Sequence, residues 1–148
     1  MTASRIVVPM TGRLPLVTTR LRRPGQHIAR GYQALVDSGS TWTLAHVDIA
    51  RALGVSTAEL AAGKHELLTG VGGTVARAMG VQLHLLVGPR SPDLIELADA
   101  WVFFTTAPLP GGVDLLLGQH DALERLTFAQ LNHAPRRFFV LHHPVTKR

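Results

Sequence analysis

The chain has 148 residues, 46% of them hydrophobic, a net charge of +5 and no cysteine; that length suits one domain with its own core and excludes a two-lobed enzyme. The lack of cysteine excludes disulfides and thiolate metal sites and fits a reducing compartment. No apolar run reaches about 18 residues and the opening lacks the basic-then-apolar order of a secretory signal, so no membrane span and a cytoplasmic location are expected.

In chain order, Leu14 to Leu21 reads as a strand ending at the turn signal Arg23-Pro24-Gly25, and Ile28 to Val36 reads as the next strand. Asp37-Ser38-Gly39-Ser40 then interrupts the apolar run with small polar residues suited to a tight loop. Val47, Ile49, Ala50 and Leu53 share one face of a short helix that Gly54 terminates. Leu67 to Val75 reads as a hairpin around the glycine-rich tip Gly70-Val71-Gly72-Gly73. Strands are expected over Met79 to Val87, over Ala100 to Phe104 after the turn at Pro89 to Pro92, and over Val113 to Gly118. Asp121 to Leu126 fits one or two helical turns, and strands near Thr127 to Leu131 and Arg137 to Leu141 finish the chain. The 14 Gly and 9 Pro cut the chain into short segments, so a mostly β closed barrel with one or two short helices is the expected architecture.

Positive charge raises the question of nucleic acid, because neutralising phosphates releases counterions. The basic residues are scattered, with Arg20, Arg22 and Arg23 the densest group, and only 5% of residues are aromatic. That distribution argues against a nucleic-acid partner, and no zinc-finger, RNA-recognition or helix-turn-helix motif is present. The eight histidines show no His-Glu-x-x-His pair, so no metal site and no cofactor is expected. Ser38 is not a nucleophile of the Gly-x-Ser-x-Gly type, since Val36 stands where the first glycine belongs. Gly63-Lys64 lacks the upstream glycine and following hydroxyl of a phosphate loop.

The segment with the clearest chemistry is Ala34-Leu35-Val36-Asp37-Ser38-Gly39-Ser40, where apolar residues deliver a carboxylate to a strand end and Gly39 permits a tight turn behind it. It resembles the active-site motif of the retropepsin-like aspartic peptidases. So does its context: a preceding strand at Leu14 to Leu21, a segment His46 to Gly54 ending in a Leu-Gly pair, Gly70 to Gly73 in the position of a flap, and Leu115-Leu116-Leu117-Gly118 before a short helix. Together these span residues 14 to 141 of a single domain taken as 1–148. The resemblance implies an acid-protease barrel, with Asp37, Ser38 and Gly39 as the catalytic segment and Leu117 and Gly118 as the turn backing it. Gly70, Val71, Gly72 and Gly73 would close over a peptide or protein substrate, and Trp42 either lines a substrate pocket or packs on the barrel. The family's usual spacing puts one residue between that Gly and the next acid. Here Gln119 and His120 both intervene, so Asp121 is expected to serve as a helix N-cap.

The family's mechanism needs two facing aspartates that share a proton. Asp48, Asp93, Asp99 and Asp114 lack the Ser-Gly that follows Asp37, so the resemblance implies a homodimer in which a second Asp37 completes the site. The expected activity is aspartic endopeptidase. The alternative is a catalytically inactive peptide-binding or scaffold module on the same fold. The apolar edges near Ile6 to Val8 and Phe138 to Leu141 are expected to pair across the dimer axis.

Overall fold

The computed structural model describes residues 5–27, 29–69, 75–90, 93–133 and 136–142. Among the described residues, ten strands and two short helices follow one another. The strands are β1 (Arg5–Pro9), β2 (Leu16–Arg22), β3 (Arg30–Val36), β4 (Thr43–His46), β5 (Lys64–Thr69), β6 (Val75–Arg90), β7 (Asp93–Thr105), β8 (Leu115–Leu117), β9 (Thr127–His133) and β10 (Arg136–His142). The helices α1 (Val47–Ala52) and α2 (Thr57–Ala62) lie between β4 and β5.

Strands β2, β3, β8, β4, β7 and β6 are hydrogen-bonded in that order, and β6 returns to β2, which closes a six-stranded barrel. Strand β5 extends from the outer edge of β6 as an antiparallel hairpin whose register runs from Lys64 opposite Gly80 to Thr69 opposite Val75. A closed barrel leaves no edge among its own strands, and its interior takes every second side chain. Val17 and Leu21 of β2, Leu83, Leu85 and Val87 of β6, and Leu115 and Leu117 of β8 fill it.

Strand β7 changes phase along its length. Ile95 and Leu97 are buried at odd positions, whereas Ala100, Val102 and Phe104 enter the core at even ones. The switch falls where Leu83 pairs with Ala100 but Leu85 pairs with Leu97, so β7 carries one extra residue there. Asp99, at φ 53°, takes up that residue as a bulge. Past the bulge, the odd residues Trp101 and Phe103 lie on the opposite face from the barrel interior.

Expected and observed elements agree in kind along most of the chain. The expected strand at Leu14 begins instead at Leu16, because Thr11 and Leu14 exchange backbone hydrogen bonds of 3.1 and 3.0 Å across a tight turn. The strand over Met79 to Val87 is the middle of the much longer β6. Helix α1 starts at Val47, capped by the His46 side chain, which accepts from the Asp48 N–H. The glycine tip Gly70 to Gly73 lies outside the described residues.

Strands β1, β10 and β9 form a separate three-stranded antiparallel sheet, and Ile6, Phe139 and Leu141 join the common apolar core. This corrects one expectation. Strand β10 is the centre of that sheet, paired with β1 from Arg5 opposite His142 and with β9 from Arg136 opposite His133. Both its edges are already satisfied, so Phe138 to Leu141 cannot pair with a second chain while this sheet is intact. No helix among the described residues is long and apolar enough to cross a membrane.

Candidate active site

Strand β8 lies between β3 and β4, although those two strands are consecutive in the chain. It runs parallel to β3, with Val36 beside Leu117, and antiparallel to β4, with Leu44 beside Leu116. The loop joining β3 to β4, residues 37–42, therefore passes over the end of β8 and must bond to it. That loop carries Asp37.

The apolar run Ala34-Leu35-Val36 anchors the loop, with Ala34 and Val36 buried in the core. The Val36 N–H donates to the Pro15 carbonyl and the Asp37 N–H donates to the Leu117 carbonyl, both at 3.0 Å. The Gly39 N–H donates to Oδ1 of Asp37 at 3.0 Å, and the Ser40 N–H donates to the Asp37 carbonyl at 3.2 Å, closing a four-residue turn. A carboxylate accepts up to four hydrogen bonds. Among the described residues Asp37 receives only that one on its side chain, which leaves Oδ2 open to solvent or ligand.

The turn after β8 is bonded to the Asp37 loop step by step. Gln119 N–H donates to the Ser40 carbonyl and His120 N–H to the Thr41 carbonyl, each at 2.9 Å. Gln119 Nε2 donates to the Ser38 carbonyl at 2.9 Å. Gly118 N–H donates to the hydroxyl of the fully buried Thr43 at 3.2 Å. Gly118 is dictated by contact: a Cβ there would stand 2.2 Å from the Trp42 carbonyl oxygen. Of the residues expected at the site, Asp37, Ser38, Gly39, Leu117 and Gly118 are thus brought together. Ser38 contributes its carbonyl, and its hydroxyl has no partner among the described residues. Gly70, Val71, Gly72 and Gly73 lie outside them.

Asp121 departs from expectation. The 3-10 turn Leu123–Arg125 has Ala122 at its cap with no side-chain bond, so Asp121 is not its N-cap. It adopts φ 62°, and its carboxylate accepts from the Trp101 N–H and from Arg125 Nη2, both at 3.0 Å. Its own N–H donates to Glu124 Oε1 at 2.7 Å. The extra residue before it is absorbed by the two bonds that Gln119 and His120 make to the Asp37 loop.

Trp42 is half-buried and both packs and lines a surface. Its ring stacks on His120, with centroids 4.5 Å apart, and tilts against Phe103 at 4.7 Å. The Lys64 ammonium lies 5.0 Å from the Trp42 centroid and 5.6 Å from that of Trp101. Sequence reasoning missed Gln119, His120 and Lys64 as neighbours of this site. The first two follow the Leu-Leu-Leu-Gly run directly, and that position was the available signal. Nothing local marks Lys64.

No protein-family model matches the chain, and no curated protein matches it significantly. Among solved structures, the crystal structure of a retropepsin-like aspartic protease from Rickettsia conorii is similar, with a TM-score of 0.60 and 16% identity over 94% of this chain and 99% of that one. At that identity the likeness is one of fold. The chain has a retropepsin-like fold, mostly β, with a closed barrel and two short helices.

Proposed function

We propose that the chain is an aspartic endopeptidase whose working unit is a homodimer, with one Asp37 from each copy at a shared centre. The observation that carries this reading is the placement of Asp37. It sits at the end of a barrel strand, its backbone held by Leu117 and one carboxylate oxygen held by Gly39, in a retropepsin-like fold. Three of the other aspartates are engaged elsewhere in the chain. Asp48 pairs with Arg51, Asp121 with Arg125, and Asp114 accepts from the Gln33 N–H.

Two carboxylates in contact cannot both ionise, so the pair holds one proton between them. The ionised member takes a proton from a water molecule as that water's oxygen attacks the peptide carbonyl carbon. The protonated member donates to the carbonyl oxygen as it gains negative charge. Collapse of the tetrahedral intermediate breaks the C–N bond, and a proton passes to the leaving nitrogen, giving a free amine and a carboxyl terminus. The Gly39 amide keeps the carboxylate oriented throughout.

Asp37→Asn tests this. Digestion of a peptide mixture at mildly acidic pH should fall by at least about a thousandfold, with circular dichroism and dimer mass in sedimentation unchanged. Cleavage at the wild-type rate by Asp37→Asn would overturn the assignment. A well-folded wild-type chain that stays monomeric and inert would support the peptide-binding module instead.

A further inference from the structure

Lys64, Trp42, Trp101, Phe103 and His120 come from four separate segments, β5, the β3–β4 loop, β7 and the turn after β8, and meet outside the barrel. Phe103 is fully buried beneath Gly80 of the neighbouring strand, where a Cβ would stand 2.8 Å from its ring. The Trp42 and Trp101 rings neighbour it, their centroids 4.7 and 6.4 Å away. The result is an apolar shelf, with half-buried indoles and the Lys64 ammonium on its outer side.

The shelf carries positive charge and donors without acceptors. Lys64 forms no ion pair with any carboxylate among the described residues. Neither indole N–H donates to a protein acceptor there. Two acids bonded beside Trp101 and His120 are occupied: Asp121 holds Arg125 and the Trp101 amide, and Glu124 accepts from the Asp121 N–H and faces His120 Nδ1 at 3.8 Å. An ammonium resting on aromatic faces keeps its N–H groups available on its open side. Such a surface fits a carboxylate carried on a short apolar stem.

The shelf also has a fixed position relative to Asp37. Trp42 and His120 emerge from the same two bonded loops that hold Asp37, and Trp42 is five residues away, no more than about 17 Å along the chain. An extended peptide spans that distance in about five residues.

We infer that Lys64, Trp42, Trp101 and His120 form a specificity subsite for an acidic side chain, glutamate or aspartate, within about five residues of the scissile bond. The inference rests on the peptidase reading and names the class of substrate that the site takes. Lys64 supplies the charge, the indole N–H groups supply further donors, and the aromatic faces receive the side-chain methylenes.

Both tryptophans of the chain are on this shelf, so intrinsic indole fluorescence reports it alone. The test uses the Asp37→Asn chain, which allows binding without turnover, titrated with tryptophan-free randomised decapeptide pools in which Glu or Gln is fixed at each position in turn. At one or two adjacent positions the Glu pool should bind about tenfold tighter than the Gln pool, and Lys64→Glu should abolish or invert that preference. Equal affinity at every position, or a preference that survives Lys64→Glu, overturns the subsite. Parallel digestion of the same pools by the wild-type chain separates the two readings. Cleavage with no acidic preference removes the subsite alone; acidic preference in binding with no cleavage removes the peptidase reading alone; neither binding nor cleavage of any pool removes both.

Discussion

Gln119 Nε2 donates to the Ser38 carbonyl oxygen at 2.9 Å, joining residues 81 apart in sequence. This bond restrains the peptide unit next to Asp37, so its loss loosens the carboxylate without removing it. If the chain is the peptidase proposed above, Gln119→Ala should lower kcat about tenfold with little change in KM, and it should cost about 1 kcal/mol of stability. A fall in KM affinity with kcat unchanged would assign Gln119 to substrate binding instead.

Gly118→Ala should be far more damaging. The added methyl would meet the Trp42 carbonyl carbon and oxygen at 2.4 and 2.2 Å, and backbone cannot rotate aside as a side chain can. A loss of about 3 kcal/mol or more is expected in urea denaturation. A loss under about 1 kcal/mol would show that the two loops can separate.

Asp121 distinguishes shape from charge. Asn tolerates the left-handed backbone and still accepts from the Trp101 N–H, whereas Ala does neither. Asp121→Asn should cost about 1 kcal/mol or less, and Asp121→Ala about 2 kcal/mol or more, because it strands a strand amide and strains the backbone. Equal losses for the two variants would show that the Arg125 ion pair outweighs both effects.

Ser56 caps α2 by accepting from the Glu59 N–H at 3.1 Å, while Glu59 returns a bond to the Ser56 N–H. Ser56→Ala should cost about 1 kcal/mol. Thermal unfolding of the variant checks it.

Tyr32 is the one tyrosine. Burial pushes its phenol above the usual 10.0; Arg30 opposes that and Asp114 adds to it. The folded state therefore holds this proton more tightly than the unfolded chain does. The resulting stability is fully present below pH 10 and is lost as pH rises through the folded value. Phenolate absorbance should titrate with a midpoint above 10.0 in the folded protein and return to the ordinary value in denaturant. A midpoint at or below the ordinary one would contradict the burial of this ring.

The sequence revealed most where structure is local. Helix α1 was visible in the spacing of Ile49, Ala50 and Leu53 and in Gly54. Helix α2 was not read, since only Leu60 of its six residues is buried and no apolar stripe forms. Its capping box at Ser56 and Glu59 was nevertheless written in the sequence. Strand β4 escaped because four residues give no periodicity and its partners, β7 and β8, are remote. Asp121 follows a turn glycine, as a cap would, but a positive φ stabilised by Trp101 and Arg125 depends on contacts that only the folded chain supplies. The Asp37 segment was legible because a strand, an acid and a tight turn adjoin one another; its clasp by Gln119 was not.

The insertion of β8 between β3 and β4 also sets a schedule. During synthesis, Asp37 leaves the ribosome about 80 residues before Leu117, Gly118 and Gln119 do, and until then its loop lacks every long-range bond that shapes it. Closing so large a loop is entropically costly and slow. The hydrolytic centre proposed here is therefore among the last parts of the chain to mature, and a nascent or truncated chain ending before residue 117 carries the aspartate without the site.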